Sequence, residues 1–184
     1  LGDGQWAGVY SSARNPTALA GGWTGRGSTS LSTFTSSSAR EYSLEAAAAR
    51  RASLIAAVKK STTLDGTVGP SGNLLTVATN YQSAFDTSAT LASLVGTHLG
   101  TVSLIGGSLA ANLQVASTGG VSGTLGSCTV SGSITARSDA NAYGWQLTPS
   151  GSCTGAGQSS SGTAVYDSGT RRLMGLGGNA QRSN

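Results

Sequence analysis

Cys128-Thr-Val-Ser-Gly-Ser-Ile-Thr-Ala-Arg137, then Ser138-Asp-Ala-Asn-Ala142, then Tyr143-Gly-Trp-Gln-Leu-Thr-Pro-Ser-Gly-Ser-Cys153: this stretch decides the fold. Its outer parts read as strands over 128–137 and 142–148. Its middle is a run of turn-forming residues, whose short polar side chains bond their own backbone. The midpoint of the two cysteines falls between Ala140 and Asn141. A reversal at that point sets Arg137 opposite Gly144 and Cys128 opposite Cys153. Opposed Cα atoms of an antiparallel pair lie within disulfide reach. The spacing therefore predicts a Cys128–Cys153 bridge, and with it an oxidising, extracytoplasmic compartment, whether periplasmic, cell-surface or extracellular.

Outward from this hairpin the same grammar repeats. Alternating residues bounded by turns predict strands over 5–12, 17–25, 28–35, 63–68, 73–80, 93–104, 109–117, 120–125, 162–166 and near 171–177. Ala13-Arg-Asn-Pro16, Thr118-Gly-Gly120 and Asp167-Ser-Gly-Thr170 read as hairpin turns. Trp6 and Trp23 are equidistant from the first, which predicts that they face each other. Leu44-Glu45, four alanines and two arginines favour a helix. At most a short helix over 43–51 is expected there, followed by a strand. Strands at this spacing with short connections predict an all-β fold, an antiparallel up-and-down barrel or sandwich. One domain spans 1–184, with a sub-division into an N-terminal β half (1–68) and a C-terminal, disulfide-containing half (69–184).

Composition narrows the function. Gly, Ser, Thr and Ala make up 105 of 184 residues, and charged residues only 10%. Disordered chains are charge-rich and poor in β-branched residues, unlike this one. The formal charge of +4 is spread thinly along the chain, which argues against nucleic acid as a partner. No run approaches 18 apolar residues, so no transmembrane helix is expected. Aromatics at 5% give no girdle of the kind porins carry. The chain starts at Leu1; for a secreted protein, a signal or anchor segment is expected to have been removed already.

Ser127-Cys128 to Arg137, Gly151-Ser-Cys153, Gly162-Thr-Ala-Val-Tyr-Asp167, Arg171-Arg-Leu-Met174 and Asn179-Ala-Gln-Arg182 form a pattern, with Ser93-Leu-Val-Gly-Thr97 upstream. This pattern resembles uncharacterised bacterial lipoproteins of the outer membrane or periplasm, most closely over 93–182. The resemblance implies a cell-surface β-protein and brings no activity. The chain departs from it in one respect: such proteins carry a further strand before the position of Leu1 and another after Asn184, so their lack here is expected to leave sheet edges that accept a neighbouring chain in a fibre-type assembly.

The candidate chemistry is sparse. Cys128 and Cys153 could alternatively be a metal pair or a nucleophile. Yet no Cys/His cluster accompanies them, and Gly151-Ser-Cys153-Thr-Gly155 lacks the helix that a nucleophile elbow needs. His98 is the sole histidine, without an identifiable orienting acid, and reads as an exposed polar position on a strand. The acids fall mostly in turns, with no calcium-loop run. No catalytic residue, metal or cofactor is expected. Trp6, Tyr10, Trp23, Tyr143 and Trp145 are the candidate ligand platform, able to stack on sugar rings. Core packing is the competing use of the same side chains. The sequence thus predicts a non-catalytic structural or interaction protein of the cell surface, an assembled subunit or lipoprotein. The alternative is a β-barrel module that binds a carbohydrate or a small apolar ligand.

Overall fold

The structure is a computed structural model that describes residues 4–12, 19–46, 48–104 and 107–179. It is all-β: two curled antiparallel sheets, each of seven strands. The first sheet holds β1 (Gln5–Ser11), β2 (Leu19–Arg26), β3 (Ser28–Ser30), β4 (Thr33–Ser43), β5 (Arg50–Lys59), β6 (Thr63–Gly69) and β7 (Leu75–Asn80). The second holds β8 (Gly96–Leu104), β9 (Gly107–Val115), β10 (Gly120–Leu125), β11 (Cys128–Ala136), β12 (Tyr143–Ser150), β13 (Ser160–Asp167) and β14 (Arg172–Gly178). Both are up-and-down meanders in which neighbours in sequence are neighbours in space, apart from β3, which pairs only with β4. The chain divides into compact units between Ala84 and Phe85. The boundary offered at 68/69 moves because β7 pairs with β6 from Leu75↔Val68 to Asn80↔Thr63.

Each sheet buries one face. In the first, Trp23, Ala39, Ala52, Leu54, Ala56 and Val68 form the core, with Trp6, Tyr10, Phe34, Leu64 and Val77 against it. In the second, Leu94, Val115, Val121, Ile134, Tyr143 and Ala164 do so. Period-two burial along β5 (Ala52, Leu54, Ala56) and β11 (Cys128, Val130, Ile134) is the signature of a strand with one wet face.

Some expectations are refined and others corrected. At most a short helix is expected over 43–51, and among the described residues none forms. β4 runs to Ser43, Leu44 and Glu45 turn, and Arg50 opens β5 opposite Glu41. Helix propensity loses to packing: a strand here buries Ala39 and Ala52 and pairs the two charges. The strand expected over 28–35 is two strands. Leu31, at φ 56°, makes the left-handed turn between β3 and β4. A bulge between Ser36 and Ala39 then switches which residues of β4 face inward, from Phe34 and Ser36 to Ala39 and Glu41. Strand β8 starts at Gly96 rather than residue 93, because Leu91–Leu94 forms a 3-10 turn. The turn expected at Ala13–Pro16 and the edges expected at Leu1 and Asn184 lie outside the described residues.

The hairpin that opened the sequence reading is present with a different register. Ala136 faces Tyr143 and Thr129 faces Ser150, so Arg137 meets Ala142 rather than Gly144. An even shift leaves every side chain on its expected face. Residues 85–95 fasten onto this hairpin's turn. Asn141 N–H donates to Phe85 O (2.8 Å), Ala89 N–H to Arg137 O and Ala140 O (3.1 Å each), and Ser88 Oγ to Ser138 O (2.6 Å). Leu94, fully buried, anchors the far end of this strap.

Candidate functional site

On the inward face of β1 and β2 three aromatic rings alternate with three glycines. Trp6 lies opposite Gly25, Trp23 opposite Gly8 and Tyr10 opposite Gly21. Trp6 and Trp23 therefore do not face each other as the sequence suggested. Two indoles directly opposed would crowd, whereas a glycine opposite each ring leaves it room to lie flat on the neighbouring strand. A Cβ at Gly8 would meet the Trp23 ring at 3.5 Å, and one at Gly25 would meet Trp6 Nε1 at 2.9 Å. Tyr10 and Trp23 consequently reach each other diagonally, with centroids 4.3 Å apart and planes tilted 35°.

Next to Trp23 on this face stands Glu41, 4% exposed. Its Oε1 accepts from Tyr10 Oη at 3.0 Å and its Oε2 lies 2.6 Å from Arg50 Nη2. The Arg50 contact satisfies the charge of Oε2, although it is not aligned as a hydrogen bond. Burial pushes the Tyr10 hydroxyl above its ordinary pKa, with the Glu41 carboxylate adding to the rise and a Ser43 hydrogen bond opposing it. The indole N–H groups of Trp6 and Trp23 are buried and find no acceptor among the described residues. Glu41 and Arg50 carry no role in the sequence reading. The alternation Ala39-Glu41-Ser43 would have placed Glu41 inward had β4 been recognised.

The candidate platform divides between the two units. Trp6, Tyr10 and Trp23 come together in the first unit, and Trp23, at 6% exposure, is closed to stacking on a ligand. Tyr143 and Trp145 share an inward face of β12 in the second unit. Tyr143 is 1% exposed, and its hydroxyl donates to Thr90 O at 3.0 Å, which ties the strap down. Burial raises its pKa, against that hydrogen bond. The half-buried Trp145 lies over Gly175 and Gly177 of β14. All five are packing residues of two separate cores.

Cys128 and Cys153 form a disulfide with Cα atoms 5.6 Å apart. Cys128 is buried at the start of β11, and Cys153 sits in the loop after β12 rather than opposite on the strand. His98 is half-buried rather than exposed, its Nε2 bonded to Leu94 O at 2.7 Å. Arg137 forks onto Asp139, with Nε–Oδ1 and Nη2–Oδ2 both 2.9 Å. Asp167 caps its own turn, accepting from the Thr170 hydroxyl (2.6 Å) and from Gly169 N–H (2.9 Å), which holds its carboxyl below the ordinary value. Among the described residues no three His, Cys, Asp or Glu gather as metal ligands, and no helix is long and apolar enough to cross a membrane. Compared with protein-family models, with curated proteins and with solved structures, the chain matches none.

Proposed function

We propose that this chain is a non-catalytic structural and interaction protein of an extracytoplasmic compartment, which associates through the edges of its sheets. The observation that carries the reading is strand β8. It is nine residues long, is bonded among the described residues to β9 alone, and contains no Lys, Arg, Asp, Glu or Pro. Its outward Leu99 is 77% exposed. Edge strands are normally blunted by charge, proline, bulges or brevity, because their free N–H and C=O groups template another strand. β8 has none of these protections. β7 likewise lacks charge, whereas β1 carries a register shift at Tyr10/Ser11 and β14 an arginine. The disulfide supports the compartment, since such bridges persist where thiols are oxidised.

Light scattering of the whole chain at rising concentration tests the reading. A mass above that of one chain is expected, falling to one chain for Thr101→Lys, which puts a charge on the exposed face of β8. A single-chain mass at every concentration would count against it.

A further inference from the structure

The outward face of the second sheet has a chemistry that the first lacks. Strands β8 to β12 contain no Asp, Glu, Lys or Arg. The outward face of the first sheet, by contrast, displays Arg26, Arg51, Lys59 and Asp65. On β8 to β12 most outward positions carry hydroxyls and amides in register across strands, interrupted by the exposed Leu99 and by Ala110. Thr97 faces Gln114, Gln114 faces Ser122, Ser122 faces Ser131 and Ser131 faces Thr148. One row therefore crosses five strands, with Thr97 Oγ1 donating to Gln114 Oε1 at 2.7 Å. A parallel row runs through Asn112, Thr124, Thr129 and Ser150, all exposed.

We propose that this face binds a neutral polysaccharide laid across the strands. Hydroxyls and amides each both donate and accept, as sugar hydroxyls do. Within each row the groups repeat at the interstrand spacing of about 4.8 Å, so a polymer laid along it meets similar groups again and again. Over β8 to β12 the face offers an ionic partner no formal charge, which selects against charged polymers and nucleic acid; Asp167 and Arg172 lie beyond it, at the β13–β14 end of the same sheet. No tryptophan stands on it, so binding rests on many weak, repeated hydrogen bonds and requires a polymer rather than a single sugar. The inference goes beyond edge association and does not depend on it.

Co-sedimentation of the whole chain with cellulose and with chitin particles tests it, with alginate beads as the anionic comparison. Retention on at least one neutral polymer is expected, unchanged when salt is raised, and at least tenfold weaker for the double variant Ser122→Glu/Ser131→Glu. Thr67→Glu, on the outward face of the first sheet, is expected to bind as the unmodified chain does. Gln114→Ala probes the same row without adding charge and is expected to weaken retention severalfold. No retention on either neutral polymer, equal retention on alginate, or undiminished retention by folded variants of the row would overturn the proposal. A chain that self-associates yet ignores both polymers would sink this inference and leave the edge reading standing.

Discussion

Glu41 is a carboxylate held almost out of water between a phenol and a guanidinium. A buried charge that loses its partner keeps the full cost of its desolvation. Arg50→Met should therefore destabilise the protein, but by a discounted amount, since the Arg50 side chain is itself 47% exposed and water can replace part of it. A loss of about 1–3 kcal/mol is expected, read as a lower urea midpoint at unchanged slope; a midpoint that does not move would show the pair to be idle. Glycines give a second comparison at this scale. A Cβ at Gly132 would run into the carbonyl of Gln146, whereas one at Gly100 meets nothing within 4 Å. Gly132→Ala should cost about 1–3 kcal/mol through overpacking. Gly100→Ala should stay within about 0.5 kcal/mol. Both are β-strand glycines in the sequence, and nothing local separates them; only the neighbouring strand's position does. Glu41 was legible in principle, as one position in an alternation. It was hidden by the alanine run that follows, which reads as helix until the strand pairing is known.

At the level of elements, the hairpin β11–β12 and its bridge were readable, and its register was not. Turn-forming residues 138–142 locate a reversal without choosing the pair at its apex, so Cys153 lands in the loop after β12. The bridge still closes a loop with a separation of 25 residues. Replacing both cysteines by serine should cost about 3 kcal/mol, chiefly by freeing the unfolded chain. Thermal unfolding with and without reductant measures this; identical midpoints would contradict it. The strap over residues 85–95 was not legible, because the alternation continues through Ser93 and Leu94 while tertiary contacts bend Leu91–Leu94 into a 3-10 turn. Its latch is the Tyr143 hydroxyl. Tyr143→Phe should cost about 0.5–1.5 kcal/mol and speed proteolysis within 85–95. Because burial raises the Tyr143 pKa, the folded state holds its proton more tightly than the unfolded one. Its contribution is complete below the unfolded value near pH 10 and is lost as pH rises through the higher folded value. Stability followed by circular dichroism should accordingly fall in strongly alkaline solution, and less steeply in Tyr143→Phe.

For the molecule as a whole, the all-β class and the up-and-down order follow from short alternating runs and short turns, and both sheets obey them. The aromatic platform was the weaker inference. Trp6, Tyr10, Trp23, Tyr143 and Trp145 are too scarce in a chain of small residues to be spared from packing, and each sheet spends them on its core. What such a chain leaves exposed is backbone edge and hydroxyl-covered face, and it is to these that we assign its proposed interactions. The first of these is strand addition at β8. Hydrogen–deuterium exchange of the β8 amides that do not bond β9, followed at two protein concentrations a hundredfold apart, tests it most directly. Slower exchange at the higher concentration, confined to β8 and lost in Thr101→Lys, is the expected result. Exchange at the same rate at both concentrations would contradict the account.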